Sequence, residues 1–295
     1  HQDMIREVYR EVMVYQAKLP GTLQTLEPLL RGLENHPFLR GNAAHLLIDG
    51  EQTYEAMLKA IAAAQHYIFF QSYIFNDDET GCRFREALSD RAQAGVLIYV
   101  LYDEIGSKKL SRSFIQSLRQ NGIRIQPFHT TKGRGNRFQL NFRNHRKILV
   151  IDGQVAFVGG LNIGDEYLGK DPKLSPWRDT HLQLQGPAVQ TLQATFLRDW
   201  YWATNELLEA NWQVQPSTSV NATALILPTG PADSLPTCNL FFVQLIHQAS
   251  SRLWIASPYF VPDESTLSAL KLAALRGVDV RILLPNHPDH QSVYW

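Results

Sequence analysis

Three residues of the segment 144–162 have types and a spacing that suit the transfer of a phosphoryl group. His145 stands two positions before Lys147, and Asp152 follows Lys147 after four intervening residues. An imidazole can act as a nucleophile or as an acid, and a lysine ammonium binds phosphate oxygens. Residues 145–151 read as a β-strand, on which positions two apart share a face. The spacing therefore predicts that His145 and Lys147 point the same way, as a nucleophile or acid beside a phosphate-binding cation.

Asp152 stands at the end of this strand, with the opposite parity to His145. The dipeptide Asp152-Gly153 is typical of a hairpin turn, and 154–158 read as the second strand of the hairpin. We therefore interpret Asp152 as structural rather than chemical. A catalytic role stays open, and Asp152 is kept among the candidate catalytic residues.

Two further candidates follow the second strand. Gly160, in the pair Gly159-Gly160, permits close approach of the backbone to a ligand because glycine has no Cβ. Asn162 offers an amide donor at the same place. We take Gly160 and Asn162, together with Lys147, as candidate phosphate-binding residues.

The chain outside the motif alternates apolar strands with helices. Strands that are almost continuously apolar and separated by helices indicate an α/β sheet covered on both faces. The predicted strands are 45–48, 67–75, 96–102 and 123–128, and the predicted helices are 53–64, 82–94 and 111–120. Residues 1–19 have the spacing of an amphipathic helix, either docked on the body or acting as a membrane-proximal linker.

An internal repeat indicates a duplicated α/β unit. The stretch beginning at residue 68 parallels the stretch beginning at residue 254, 186 positions later, and a predicted helix follows each. Chance similarity between two ordinary βαβ segments is the alternative. The predicted organisation is an N-terminal helix and linker (1–44), a first half with the motif (45–212), a linker (213–239) and a partial second half (240–295).

Composition limits the classes of function. The 295 residues contain 28 Lys and Arg against 28 Asp and Glu, so the chain lacks the excess of positive charge expected of a general nucleic-acid binder. Its two cysteines predict neither a disulfide framework nor a metal cluster. The longest purely apolar run, 96–102, is too short to cross a bilayer.

A basic run without acidic residues precedes the motif. Local positive charge attracts an anionic membrane surface, so this run is a candidate patch for anionic headgroups. A solvated loop is the alternative. The patch consists of Lys132, Arg134, Arg137 and Arg143.

The sequence resembles the phospholipase D superfamily, whose members carry the His-Lys-Asp motif twice, and within it the bacterial cardiolipin synthases. The resemblance covers residues 45–295 and rests on the stretches 143–147, 159–171, 177–181 and 257–263. It implies an α/β fold with a phospholipase D-like mixed β-sheet flanked by helices, internally duplicated, with the second copy incomplete.

The same resemblance implies roles for individual residues. His145 would be the nucleophile that forms a phosphohistidine, Lys147 and Asn162 would hold the phosphate oxygens, and Asp179 would orient His145. A surface ion pair with Arg178 or another basic residue is the alternative for Asp179. Neither a metal nor another cofactor is expected, because lysines and amides stabilise the developing charge.

The implied activity is phosphatidyl transfer between two phosphatidylglycerol molecules, which gives cardiolipin and glycerol. The expected partners are anionic phospholipid and a membrane surface, without nucleic acid, and the expected location is the bacterial cytoplasmic membrane. A phospholipase D-type phosphodiesterase, either a lipid hydrolase or a nuclease, stays open. So does a catalytically silent fragment.

The chain departs from the superfamily pattern in one respect. Of its ten histidines, only His145 is followed by lysine two positions later. The repeat offset places a second motif near position ~331, after Trp295. We therefore expect the 295-residue chain alone to be inactive.

Overall fold

The computed structural model describes residues 9–33, 36–128, 144–230 and 233–286. They fall into two compact units. The first contains the described residues up to Lys18 together with Pro37–Pro228, and the second contains Leu19–His36 and the described residues from Thr229 onward.

Eight strands form the sheet of the first unit, and two form that of the second. The strands are β1 (Leu39–Ile48), β2 (Tyr67–Ser72), β3 (Leu97–Asp103), β4 (Arg124–Phe128), β5 (Ile148–Ile151), β6 (Val155–Gly159), β7 (Thr180–Gln185), β8 (Ala222–Ala224), β9 (Arg252–Ala256) and β10 (Asp279–Leu283). The helices are α1 (Leu26–Gly32), α2 (Asp49–Ala63), α3 (Glu79–Gln93), α4 (Arg112–Gln120), α5 (Ala188–Thr204), α6 (Thr237–Gln248) and α7 (Glu264–Leu275). Two short 3-10 helices span Gly21–Leu23 and Asp165–Leu168.

The large sheet is mixed, in the order β4-β3-β2-β5-β6-β7-β1-β8. The strands β2, β3 and β4 run parallel, because a helix connects each to the next. The remaining neighbours are antiparallel, with β5 and β6 joined by the predicted hairpin. A mixed sheet flanked by helices was predicted from the sequence, and the fold confirms it.

Each face of the large sheet has its own apolar core, which explains why the central strands β2, β3 and β5 are largely apolar. Phe70 packs on one face with Tyr54 of α2 and Phe84 of α3. Phe69, its neighbour in β2, packs on the other face, where its ring stacks on Phe196 of α5 at a centroid distance of 4.9 Å. Alternate side chains of one strand therefore fill two cores.

The second unit repeats the βαβ arrangement of the first. Strands β9 and β10 are parallel and flank α7, as β2 and β3 flank α3. Asp78 caps the start of α3 by accepting the backbone N–H of Gly81, and Asp263 caps α7 by accepting that of Thr266. The duplicated α/β unit was predicted from residues in these same segments.

The strand that carries the motif begins later than predicted. Residues 145–151 were expected to be extended throughout, but β5 begins at Ile148. The reason is that backbone N–H groups before it bond to side chains instead of to a strand: Asn144 donates to Asp103 at 3.1 Å, and Arg146 to the side-chain oxygen of Asn144 at 3.2 Å. The segment 144–147 is therefore held by side chains rather than by a β-ladder.

The N-terminal helix was predicted to extend to residue 19, and within the described residues it covers only 9–13. It ends early because Ala17 and Tyr15 exchange backbone hydrogen bonds with the start of β1. Val12 is buried against Leu39, as a docked helix requires. None of the helices that the structure describes is long and apolar enough to cross a bilayer.

Candidate active site

His145 and Lys147 lie in direct contact, as their spacing predicts. Nζ of Lys147 is 2.9 Å from Nδ1 and 3.4 Å from Nε2 of His145, and 2.7 Å from the carbonyl oxygen of His145. The lysine therefore contacts both the ring and the backbone of the candidate nucleophile. The protonation state of Lys147 therefore decides whether it can accept a hydrogen bond from the imidazole or only donate one to it.

Lys147 is buried, with only 6% of its surface exposed. Burial lowers its pKa to about 7, and the negative charge of Asp179 opposes this shift. Near neutral pH the side chain therefore exchanges between an ammonium, which only donates hydrogen bonds, and an amine, which can also accept one.

Tyr73, which follows β2, lies beside the pair formed by His145 and Lys147. Its ring centroid lies 4.5 Å from that of His145, and Nζ of Lys147 is 5.5 Å from its centroid. The absence of a side chain at Gly106 leaves room for Tyr73, since a Cβ at position 106 would lie 2.3 Å from the carbonyl oxygen of Tyr73 and 3.0 Å from its ring. Tyr73 was not among the predicted site residues, because the sequence placed it inside a predicted strand, 67–75, that in the structure ends at Ser72.

Gly160 has a structural role, and its contact with substrate phosphate stays a prediction. A Cβ at this position would lie only 2.1 Å from Oδ1 of Asp179. The backbone N–H of Gly160 donates to the carbonyl oxygen of Thr180 at 3.2 Å and is therefore already paired. The residue is glycine because the carboxylate of Asp179 occupies the space that a side chain would need.

Asp179 is held at the start of β7 by neighbours on both sides. Its carboxylate accepts the indole N–H of Trp177 at 3.2 Å and the backbone N–H of Thr180 at 2.7 Å. The guanidinium of Arg178 pairs with Asp49 at 3.2 Å, whereas towards Asp179 it bonds to the backbone carbonyl. The side chain of Arg178 is therefore paired with Asp49 and not with the carboxylate of Asp179. That Asp179 orients His145 stays a prediction.

Asn162 connects the loop after β6 to the end of β2. Its side-chain oxygen accepts the backbone N–H of Ile74 at 3.0 Å, and its amide donates to the hydroxyl of Tyr167 at 2.8 Å. The hydroxyl of Tyr54 donates to the backbone carbonyl oxygen of Asn162 at 2.6 Å. Asn162 thus has a clear structural role, and its contact with phosphate stays a prediction.

Asp152 is structural in this fold. Its carboxylate accepts the backbone N–H groups of Gln65, His66 and Tyr67, each at 2.8 Å. Both Asp152 and Gly153 have positive φ, the conformation of a type I′ turn. The residue therefore connects the hairpin to the start of β2, which agrees with the structural interpretation, and a catalytic role stays a prediction.

His181 on β7 was not predicted to belong to the site. It is 2% exposed, and burial, followed by the charge of Lys147, lowers its pKa to about 4. Its ring lies over Gly159, where a Cβ would be 2.5 Å from Nδ1 of His181. Together with Lys147 and Gln71, the histidine lines a small cavity beneath the candidate nucleophile. Because its pKa is about 4, His181 is neutral at neutral pH.

The predicted headgroup patch, Lys132, Arg134, Arg137 and Arg143, lies outside the described residues. Among the residues that are described, no group of three or more His, Cys, Asp or Glu side chains is arranged to hold a metal ion.

With a helix-covered mixed sheet and a contacting pair of an exposed histidine and a buried lysine, this chain is a phospholipase D-like α/β protein. It belongs to the family described as "Cardiolipin synthase, PLD-like domain", which matches residues 57–200 and 242–295.

Curated relatives are similar along most of the chain. Cardiolipin synthase A of Pseudomonas aeruginosa strain LESB58 is 50% identical over 269 residues, which cover 91% of this chain and 54% of the relative. Cardiolipin synthase A of Pseudomonas fluorescens strain SBW25 is 52% identical over 260 residues, which cover 88% of this chain and 54% of the relative. The chain thus spans about half the length of these relatives.

Solved structures share the fold at low sequence identity. The phosphatidylserine synthase of Haemophilus influenzae superposes with a TM-score of 0.60 at 16% identity, covering 86% of this chain and 64% of that one. The polyphosphate kinase of Porphyromonas gingivalis gives a TM-score of 0.54 at 13% identity, covering 93% of this chain and 42% of that one. At these identities, the likeness concerns the fold alone.

Proposed function

We propose that this chain contributes His145 to a phosphatidyltransferase that makes cardiolipin and glycerol from two phosphatidylglycerol molecules. The observation that carries the proposal is the 2.9 Å contact between Nζ of Lys147, which is buried, and the ring of His145, which is exposed to solvent. The names of the relatives that are about half identical to this chain support the choice of lipid.

In the first step, a ring nitrogen of His145 attacks the phosphorus of phosphatidylglycerol. A nitrogen–phosphorus bond forms, the bond from phosphorus to the glycerol headgroup oxygen breaks, and glycerol leaves after taking up a proton. In the second step, the primary hydroxyl of another phosphatidylglycerol attacks the phosphorus. The nitrogen–phosphorus bond breaks, the hydroxyl proton leaves to a base, and cardiolipin is released.

The lowered pKa of Lys147 suits this chemistry because attack requires a free lone pair on the imidazole. A charged Lys147 can only donate, so its contact with Nδ1 places the proton of a neutral His145 on Nε2. A neutral Lys147 can instead accept the N–H of Nδ1, which leaves the Nε2 lone pair free to attack. Since the pKa is about 7, both forms are available near neutral pH.

Substrate phosphate would then favour the charged lysine, because a nearby anion raises the pKa of an ammonium. The charged form would stabilise the phosphate oxygens while the bond to glycerol breaks. Asp179 contributes by opposing the loss of the proton from Lys147. Its orienting contact with His145 and the phosphate contact of Asn162 belong to the same proposal.

The anionic substrate also implies a membrane surface as partner. The acid-free basic run that contains Lys132, Arg134, Arg137 and Arg143 supports binding to anionic headgroups, at roughly 1 kcal/mol for each basic residue near the surface. Location at the bacterial cytoplasmic membrane is part of the proposal.

The proposal is tested with an activated lipid, phosphatidyl-p-nitrophenol, in phosphatidylglycerol vesicles. Because p-nitrophenolate leaves without a proton, the attack by His145 is isolated from any acid elsewhere. The chain alone is expected to be inactive towards phosphatidylglycerol as donor, whose leaving group needs a proton, but with the activated donor we expect p-nitrophenolate release, with cardiolipin as the lipid product by mass spectrometry. His145→Asn should reduce release by about 10³-fold or more, whereas His45→Asn, on an exposed histidine of β1, serves as the matched control.

Phosphatidic acid in place of cardiolipin would show that water is the acceptor and that the protein is a hydrolase. Equal release by the wild-type chain and His145→Asn would contradict the proposal altogether.

A further inference from the structure

A buried carboxylate on α5 accepts hydrogen bonds from residues on both sides of His145. Asp199, which is 5% exposed, accepts the side-chain amide of Asn144 at 2.8 Å and the guanidinium of Arg146 at 2.7 and 2.8 Å. It also accepts the side-chain amide of Gln71, on β2, at 2.8 Å. We refer to these four residues as the Asp199 network.

A second buried carboxylate fixes the backbone of the same segment. Asp103, at the end of β3 and 1% exposed, accepts the backbone N–H of Asn144 at 3.1 Å through one oxygen. Its other oxygen accepts the N–H groups of Ile105 and Gly106, each at 2.9 Å. Asn144 is therefore held by its backbone and by its side chain, from two different elements.

This arrangement compensates for the missing strand ladder. Residues 144–147 precede β5, so ladder hydrogen bonds do not determine where His145 points. Charge-assisted hydrogen bonds from a buried carboxylate are among the stronger and more directional contacts in a protein. An imidazole between two residues fixed in this way has little freedom to move, and a displacement of about 1 Å can reduce a rate by roughly 10²-fold.

We propose that Asp199 is a positioning residue for His145, which it holds against Lys147 through Asn144 and Arg146. The inference rests on the proposed function of His145 as nucleophile. It deepens that function by assigning the orientation of the ring to a carboxylate 54 positions later in the sequence (199 − 145).

The test uses Asp199→Asn, which keeps the shape of the side chain and removes its charge. Two quantities are measured: the rate of p-nitrophenolate release from phosphatidyl-p-nitrophenol, and the ring ¹⁵N resonance of His145, assigned as the signal that His145→Asn removes. We expect kcat to fall by about 10- to 100-fold with little change in KM. The His145 resonance should shift and broaden without substrate present.

Thr195→Val is the matched control. Thr195 lies on the same helix and is equally buried, but its hydroxyl donates to the carbonyl oxygen of Thr191 within the helix at 2.8 Å. Loss of one internal hydrogen bond should lower the stability of α5 while the His145 resonance and kcat stay as in the wild type.

Arg146→Gln provides a second variant in case Asp199→Asn does not fold. The Arg146 side chain is 23% exposed, so its replacement should leave the fold intact and still remove the ion pair. We expect the same change at His145, of smaller size.

A folded Asp199→Asn or Arg146→Gln protein with wild-type kcat and an unchanged His145 resonance would overturn the proposal. Because the resonance is measured without substrate, failure of the positioning proposal can be distinguished from failure of the proposed function. If the wild-type chain releases no p-nitrophenolate, the proposed function fails, whereas a shifted resonance in Asp199→Asn still supports the positioning of His145.

Discussion

Lys147 and His181 line the same small cavity, and both have a lowered pKa there. Burial is the main cause for each, and the positive charge of Lys147 adds to the effect on His181. At neutral pH, His181 is therefore neutral, whereas Lys147 exchanges between its charged and neutral forms. The candidate nucleophile contacts a lysine that a nearby anion can shift towards the charged form.

The stability of the protein should depend on pH through Lys147. Its pKa is lowered from 10.5 to about 7 by burial, so between these values the unfolded chain binds more protons than the folded one. The free energy of unfolding should therefore rise as the pH increases from 7 towards 10, by up to about 1.4 kcal/mol per pH unit. Urea unfolding of the wild type and Lys147→Met measures this, and the slope should be smaller in the variant. Equal slopes would mean that Lys147 titrates normally.

His181 should determine stability on the acid side. Because burial lowers its pKa from 6.5 to about 4, the unfolded chain binds the extra proton first as the pH falls. The stability that depends on neutral His181 is complete above pH 6.5 and decreases as the pH falls towards 4. Unfolding of His181→Gln should change less over this interval. An identical decrease in the variant would assign the acid sensitivity to other groups.

Asp152→Asn should lower stability and leave chemistry intact. The variant loses a charged acceptor that satisfies three backbone N–H groups, which should cost about 1–3 kcal/mol. Asparagine tolerates the positive φ at this position, so the turn itself is kept. Release of p-nitrophenolate at a temperature where the variant is folded should equal that of the wild type. A rate of p-nitrophenolate release that is lower by 10²-fold or more at that temperature would show that Asp152 takes part in the reaction.

Gly160→Ala should disturb the site through Asp179. The added methyl would meet a carboxylate oxygen at 2.1 Å, so Asp179 must move away from its present position. Because the charge of Asp179 raises the pKa of Lys147, its displacement should lower that pKa further. The measurement is the titration of Lys147 by ¹³C and ¹⁵N NMR of labelled lysine. The control is Gly21→Ala, where an added Cβ contacts nothing within 4 Å. An unchanged titration in Gly160→Ala would show that Asp179 does not control Lys147.

The sequence predicted the scaffold well where local pattern determines structure. The apolar runs around Phe69 and Val100 identify β2 and β3, because a strand covered on both faces is apolar at most of its positions. The start of β5 was predicted too early. The spacing of apolar residues does not show that the backbone N–H of Asn144 donates to the side chain of Asp103 and not to a neighbouring strand.

The site was predictable only where its residues are adjacent in sequence. His145 and Lys147 belong to one short motif. Tyr73 contacts His145, and Asp199 contacts its neighbour Arg146, from 50 or more positions away in the sequence. Gly160 was assigned to substrate because a glycine in a sequence indicates free space without showing what fills it. Here the carboxylate of Asp179 fills it.

The central claim is that His145 is the nucleophile, and the most direct measurement is the site of covalent modification. The chain is mixed with phosphatidyl-p-nitrophenol, quenched at alkaline pH and examined by mass spectrometry of its peptides. We predict one phosphatidyl group attached to His145, stable to alkali, lost in acid and absent from His145→Asn. The same amount of acid-labile adduct in His145→Asn, or a wild-type chain that releases p-nitrophenolate without any adduct at His145, would contradict the account.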